Sequence, residues 1–329
     1  MKELEIWQFA AERLKRNEPV MLLVVAESSG SSPGKQGFKM IVAENGIMGS
    51  IGGGVMEVQL VEQAKFQISN FKFQIDSKIV EQIHKKNVQN SSGMICSGKQ
   101  TVIFFKLTPE HYKLIRKIPV YLTKPRGRYL RITQENLILT GKKNPPFDIK
   151  FERQSESEFI YEEKIGFKNK LFIIGGGHCA LALSELASKM DFYISLFDDR
   201  TDLNTLAKNE FVHEKIIIES YEQIGEFIES GNNSYVVVMT LGYKFDEIVI
   251  RQLIDKDFKY FGVLGSRAKM KVLLRTLENE GFPKDKLKQI RTPIGLPINS
   301  QTPEEIAVSI AAEIILYKNS ASKNFQSKK

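Results

Sequence analysis

The segment Leu171-Phe-Ile-Ile-Gly-Gly-Gly-His-Cys-Ala180 constrains the fold of this 329-residue chain more than any other. Four apolar residues make a buried strand, three glycines make a sharp turn, and Ala180 to Met190 has helical spacing. In that order the strand delivers the chain to a helix N-terminus, where free backbone N–H groups can face a bound anion. Gly175 is placed to make the turn, Gly177 to permit close approach of a ligand, and Ala180 to fill the small third position. Asp198-Asp199 ends the next apolar strand about 20 residues later, where a dinucleotide ribose finds its hydroxyl partner. His178 stands beside the phosphate position, either as a ligand contact or as a half-exposed residue of the first helical turn.

The pattern continues past this motif. Tyr193–Phe197, Lys215–Ile218, Tyr235–Met239 and Tyr260–Leu264 are further apolar runs. Helical stretches follow at Tyr221–Ser230, Asp246–Lys256 and Arg267–Gly281. Such alternation predicts an α/β fold, a Rossmann-like parallel sheet with helices on both faces. Thr302-Pro303-Glu304-Glu305 reads as a capping box opening a last helix to about Tyr317. Two later loops fall on the ligand-binding rim of such a sheet. In Thr240 to Asp246 the aspartate reads as a helix cap. In Leu264-Gly-Ser-Arg267, Ser266 can cap the following helix while Arg267 reaches an anion.

The first half reads as a smaller α+β domain. Leu4–Lys15 forms an amphipathic helix with Ile6, Phe9 and Leu14 inward, and Val20–Ala26 a continuous apolar strand. Asn45-Gly46 joins the strands Phe38–Ala43 and Ile47–Ile51 as a hairpin. Three loops rich in small residues interrupt these elements. They are Ser28 to Gly34, then Gly49-Ser-Ile-Gly52-Gly53-Gly54 ahead of a helix bearing Glu57, then Ser91 to Gly98 with Cys96. Glycine and serine loops can build an anion nest or simply make turns. Cys96 is either a soft ligand, suited to a metal such as molybdenum, or a small apolar side chain. Charge clusters and prolines across Lys142–Glu158 place the domain boundary there, giving domains 1–155 and 156–329.

Composition excludes several classes. Apolar residues are 42% and charged residues 26%, as in a soluble globular chain and unlike a disordered or membrane-spanning one. The N-terminus lacks the apolar core of a signal peptide, and two cysteines build no disulfide framework, so the expected location is cytoplasmic. The net charge of +8 is spread along the chain rather than gathered in a stripe, which argues against nucleic acid and for an anionic small ligand or an acidic partner.

Taken in order, these segments resemble the XdhC/CoxI family of xanthine dehydrogenase accessory proteins. The resemblance rests on Glu27 to Met40, on Gly49-Ser-Ile-Gly-Gly-Gly-Val-Met-Glu57, and on Met94-Ile-Cys-Ser-Gly98. It continues through Ile174 to His178, Phe197 to Arg200, Gly262 to Arg267, Pro293 to Leu296 and Thr302 to Ile310. It implies a chaperone-like protein that binds the molybdenum cofactor (molybdopterin). Such a protein assists the cofactor's sulfuration and delivers it to a molybdenum hydroxylase such as xanthine dehydrogenase. A cysteine desulfurase as sulfur donor and a homodimer are further implications. By carry-over Cys96 is the cofactor-contacting thiol and possible molybdenum contact. Gly52, Gly53, Gly54, Glu57, Gly175, Gly177, His178, Asp198, Ser266 and Arg267 complete the expected cofactor site. Two departures stand out. Val55-Met56 occupies a place where many members have cysteine, and Cys96-Ser-Gly98 replaces the common Cys-Gly-Gly, so one thiol or none must suffice.

The rival reading is an NAD(P)-dependent oxidoreductase using Asp198 on the ribose. Its weakness is that only one of four histidines, His178, lies in a motif, and no acid–base pair is evident. A third reading is a scaffold whose Rossmann-like domain binds nothing.

Overall fold

The computed structural model describes residues 2–69, 77–84, 98–124, 128–141, 147–155 and 158–320. The chain divides into two compact units, Met1–Phe167 and Lys168–Lys329, nearly equal in length. The division falls after Phe167, whereas charge and proline content point to 155/156. Strand Phe159–Ile165 pairs on both sides within the first unit.

The first unit begins with α1 (Lys2–Lys15), β1 (Val20–Gly30), β2 (Lys39–Ala43), β3 (Gly46–Gly49) and α2 (Gly54–Ser69). β4 (Ser77–His84) and β5 (Gly98–Leu107) complete an antiparallel sheet of order β3-β2-β1-β5-β4. β1 is its central strand. Val20, Leu22, Val24 and Ala26 enter one core, while Met21, Leu23 and Val25 enter another. Because both faces are covered, the strand reads as a continuous apolar run rather than an alternating one. α2 covers one face with Met56, Leu60, Ala64 and Ile68. α1 covers the other with Ile6, Trp7, Ala10 and Leu14, and Phe9 is left only partly buried. On that side also pack the short helices α3 (Tyr112–Ile115) and α4 (Ile118–Leu122). A second antiparallel sheet joins them, of order β7-β6-β9-β8: β6 (Arg128–Thr133), β7 (Leu137–Thr140), β8 (Ile149–Arg153) and β9 (Phe159–Ile165). The Asn45-Gly46 hairpin joins β2 to β3, with Gly46 at φ +131°.

The second unit runs β10 (Asn169–Ile174), α5 (His178–Ser188), β11 (Phe192–Asp198), α6 (Asn204–Lys208), β12 (Glu214–Ile217) and α7 (Ile224–Phe227). It continues through β13 (Gly231–Val238), α8 (Tyr243–Leu253), β14 (Phe258–Val263), α9 (Arg267–Asn279), α10 (Lys284–Leu287) and α11 (Pro303–Asn319). Its strands form a parallel sheet of order β12-β11-β10-β13-β14. Leu171 and Ile173 of β10 face α5 and α11; Phe172 and Ile174 face α8 and α9. The Tyr221–Ser230 helix is only a 3₁₀ turn followed by the single turn α7, with helix-weakening Gly225 inside it and extended backbone at Ile228. The Thr302 capping box is present: its hydroxyl accepts from the Glu305 N–H at 3.2 Å, and Glu305 Oε2 accepts in return from the Thr302 and Gln301 N–H groups. Among the described residues no helix is long and apolar enough to cross a membrane.

Candidate functional site

The strand order reverses between β10 and β13. β11 and β12 extend one way from β10, and β13 and β14 the other. The crossovers after β10 and β13 therefore leave on opposite faces, α5 with one core and α8 with the other, and open a crevice at the strands' carboxyl ends.

Both helices bordering this crevice start from glycine. Gly177 caps α5 and Gly242 caps α8, and neither helix receives a side-chain cap. The N–H groups of the first two residues of each helix lack intrahelical acceptors. α9 and α11, by contrast, are capped by Ser266 and Thr302 side chains. A Cβ built on Gly177 or Gly242 would meet nothing within 4 Å. Packing within the protein does not require glycine at either place.

Gly175 is different. At φ +106°, its Cβ would lie 2.6 Å from the Met239 carbonyl carbon, because the turn passes directly over the end of β13. Gly176 lies between two anchors. Its N–H donates to Asp198 Oδ2 at 2.6 Å and its carbonyl accepts from the Thr205 hydroxyl at 2.6 Å. His178, the first helical residue, is exposed.

Asp198 is fully buried and already engaged. Oδ1 accepts from the Arg200 N–H at 2.9 Å and Nε at 2.8 Å; Oδ2 accepts from Gly176 and from Arg200 Nη2 at 2.9 Å. Four protein donors occupy the roughly four lone-pair sites of a carboxylate. Burial would raise this carboxyl, but the Arg200 and Gly176 hydrogen bonds outweigh it and hold it below its ordinary value. In this structure Asp198 braces the glycine turn, with no acceptor left over for a ribose hydroxyl.

The other rim loops are held in a similar way. Asp246 does not cap α8. It lies one turn inside the helix and accepts at Oδ1 from the Thr240 hydroxyl at 2.7 Å and the Thr240 N–H at 3.2 Å. Its burial pushes the carboxyl above its usual range, against the pull of the Thr240 bonds. The loop thus fixed presents Leu241, 74% exposed, at the crevice. Ser266 accepts from the Lys269 N–H, and Arg267 is exposed on the first turn of α9.

In the first unit, glycines from all three loops converge. A Cβ on Gly34 or Gly52 would overlap the other's segment, and one on Gly98 would lie 2.7 Å from the Ser32 N–H nitrogen. Fully buried Gln100 ties them, donating to the Ile51 carbonyl at 2.8 Å and accepting from the Ser32 hydroxyl at 2.8 Å. Gly52, Gly53 and Gly54 all have positive φ and form a concave run of backbone. Glu57 fills it: Oε2 accepts from the Ile51 N–H at 2.8 Å, the Gly53 N–H at 2.9 Å and the Ser50 hydroxyl at 2.7 Å. The anion in this nest is the protein's own carboxylate. Cys96 lies outside the described residues. Among the described residues no group of three or more His, Cys, Asp or Glu could hold a metal. Gly242, Thr240 and Arg200 were not singled out by pattern. The signals available were a glycine just ahead of a helix and an arginine two residues after a strand-end aspartate.

Comparison with known proteins follows the same division. Residues 171–314 match the XdhC Rossmann domain, and residues 13–71 match the XdhC and CoxI family; together they cover more than half of the chain. A Bacillus subtilis protein, named as a probable subunit of xanthine dehydrogenase, is 25% identical over 322 residues, 92% of this chain and 94% of that one. YqeB of Escherichia coli K12, an uncharacterized protein, is 22% identical over 320 residues; these are 97% of this chain but 47% of YqeB, so the chain spans about half of that relative. The crystal structure of a xanthine dehydrogenase from Bacillus halodurans superposes with a TM-score of 0.71 at 22% identity, covering 99% of this chain and 98% of that one, a likeness of fold. The two unit-specific matches, in the order the glycine loops require, place the chain in the XdhC/CoxI family.

Proposed function

We propose that this protein is an accessory factor of a molybdenum hydroxylase, of the xanthine dehydrogenase type, and that it holds the molybdenum cofactor for delivery. The carrying observation is the pair of uncapped, glycine-started helices at the switch point. Gly177 and Gly242 leave open space beside orphan N–H groups, and the residues present fit an anionic group such as the cofactor's phosphate. When bound, the cofactor supplies the dithiolene-held molybdenum that a hydroxylase needs.

The chain's own residues bind and orient it. The N–H groups of Gly177 and His178 receive the anion, the Thr240–Gly242 loop forms the opposite lip, and exposed Leu241 shields the ring system from water. In the first unit Glu57 shapes its own loop rather than offering an acceptor outside it, and Cys96 keeps only the thiol role that the family resemblance implies. The names of the B. subtilis and B. halodurans relatives support the choice of client. A cysteine desulfurase as sulfur donor, a homodimer and a cytoplasmic setting belong to the same reading.

The test is retention of pterin. Protein purified from a cofactor-replete host and oxidised should release a fluorescent pterin, and Gly177→Ala should release far less. Repeated absence of pterin from the wild type sinks the proposal. Titration with NADH should give no binding at millimolar concentration, because Asp198 is occupied.

A further inference from the structure

The last helix, α11, is apolar on its outer side as well as its inner one. The inner side gives Ala307, Ile310, Ala311 and Ile314 to the core shared with α5. On the outer side Val308 is 49% exposed, Ile315 41% and Leu316 40%, with Ala312 half-buried between them. Between Glu305 and Lys318 the only charged residue is Glu313. It is turned away, accepting at Oε2 from the Tyr260 hydroxyl at 2.6 Å and the Gly295 N–H at 2.8 Å. α9 shows what a solvated helix of this unit looks like. It exposes Lys269, Lys271, Arg275 and Glu278, with Val272 the one large apolar side chain among them. A helix that is apolar all round is one that something covers.

The outer stripe of α11 carries the pattern of its own cover. Glu305, Val308, Ala312, Ile315 and Asn319 follow one another at alternating intervals of three and four, the spacing with which helices pack on helices. From either end the stripe reads as a polar residue, a large aliphatic one, alanine, a large aliphatic one and a polar residue. Laid antiparallel against itself about Ala312, it puts Val308 on the partner's Ile315 and Leu316, and the reciprocal contact follows by symmetry. Alanine at the centre lets the two backbones come close. The acidic first turn, Glu304 and Glu305, then lies beside the partner's last turn, which carries Lys318, and the two helix dipoles run head to tail. A parallel pair would set Glu305 against Glu305, like charge against like.

We infer that α11 is the contact face of a two-fold homodimer, in which each copy covers the other's Val308, Ile315 and Leu316. A foreign partner would match this palindromic stripe only by coincidence; a second copy matches it by symmetry. The contact gives a surface to the homodimer of the proposed function, on which it rests, and it needs no cofactor. A monomer that retains pterin leaves the cofactor role standing, and a dimer without pterin leaves this contact standing.

Light scattering on the eluting full chain at micromolar concentration tests it. The wild type should have the mass of two chains. Val308→Lys and Leu316→Glu fall on the exposed stripe, so each should keep the wild-type circular dichroism and yet elute as a monomer. The dimer dissociation constant should rise by about 100-fold or more, because each new charge is buried against aliphatic carbon. Mixed in equal amounts, the two variants should recover a dimer. In that pair the new cation and the new carboxylate face each other at one contact, while the native Leu316 and Val308 meet at the other. A monomeric wild type, single variants that stay dimeric, or a mixture that stays monomeric would each overturn the antiparallel contact.

Discussion

Replacing Gly175 and Gly177 in turn by alanine separates a glycine needed by the fold from one that only the proposed ligand needs. At Gly175 the backbone sits at φ +106°, a region that costs an L-residue about 1–2 kcal/mol. The new Cβ would also stand 2.6 Å from the Met239 carbonyl carbon and 2.9 Å from Thr240 Cα. Both are backbone atoms that no rotamer change can move, and overpacking of this kind costs about 1–3 kcal/mol. The sum is about 2–5 kcal/mol. With a urea slope of about 2 kcal/mol per molar, a central loss of about 3 kcal/mol lowers the unfolding midpoint by about 1.5 M. At Gly177, φ −72° and ψ −170° suit alanine, and nothing lies within 4 Å of the new methyl. Restricting the unfolded chain gains about 0.4–1 kcal/mol, and losing glycine at the N-cap costs a comparable amount, so the midpoint should stay within about 0.3 M. The assay is urea unfolding by far-UV circular dichroism. Trp7, the single tryptophan, serves as an internal reference because it lies in the first unit. Its transition should not move in either variant. Pterin retention should be lost in Gly177→Ala despite wild-type stability. Equal midpoints for the two variants, or a Gly177→Ala protein that is unstable, would refute the reasoning.

Three further substitutions probe what holds each unit together. Lys39 is buried, with Nζ 2.9 Å from Glu3 Oε1 and 2.5 Å from Glu163 Oε2. Lys39→Met takes the cation from between two carboxylates and should cost about 3–5 kcal/mol, with Lys39→Met/Glu163→Gln recovering part of it, as read by Trp7 fluorescence in urea. Glu57→Ala removes the acceptor of two glycine-loop N–H groups and a serine hydroxyl. It should cost about 1–3 kcal/mol and speed hydrogen exchange at Ile51 and Gly53; unchanged exchange would show the loop to be self-supporting. Asp198 has a carboxyl pKa below its unfolded value, so its contribution is present above the usual carboxylate range and is lost as pH falls through the folded value. Asp198→Asn should therefore be clearly less stable than wild type at neutral pH, with the gap closing below about pH 4. A gap that does not change with pH would contradict this account.

The parallel sheet was legible because each of its strands is a short apolar run followed by a turn signal and a helical period, all local properties. The hairpin at Asn45-Gly46 and the Thr302 capping box were legible for the same reason. What escaped depended on contacts distant in sequence. β9 lies past a charged, proline-containing stretch and reads as the start of a new domain. Only its pairing with β6 and β8 assigns it to the first unit. Trp7 and Ala10 face inward because α1 packs against β1 and β2, and helical spacing alone does not choose which apolar stripe wins. The partnership of Asp198 with Arg200 is local, yet the aspartate alone has the look of a ribose ligand. The decisive fact is that the arginine folds back over two residues and takes its lone pairs.

The same logic distinguishes the two glycine-rich motifs, which look alike in sequence. Both place consecutive glycines ahead of a helix, and both leave backbone N–H groups in need of an acceptor. In the first unit that acceptor comes three residues after the last glycine, as Glu57, and the run Gly52–Gly54 is closed on itself. In the second unit the position three residues after Gly177 is Ala180, buried against the sheet and without a polar atom to offer. The nearest carboxylate, Asp198, serves only Gly176 from below and leaves Gly177 and His178 facing outward. Among the described residues the first nest is filled by the chain's own carboxylate, whereas the turn at Gly177 receives none. In the proposed function an anion from outside the protein meets that demand at the switch point.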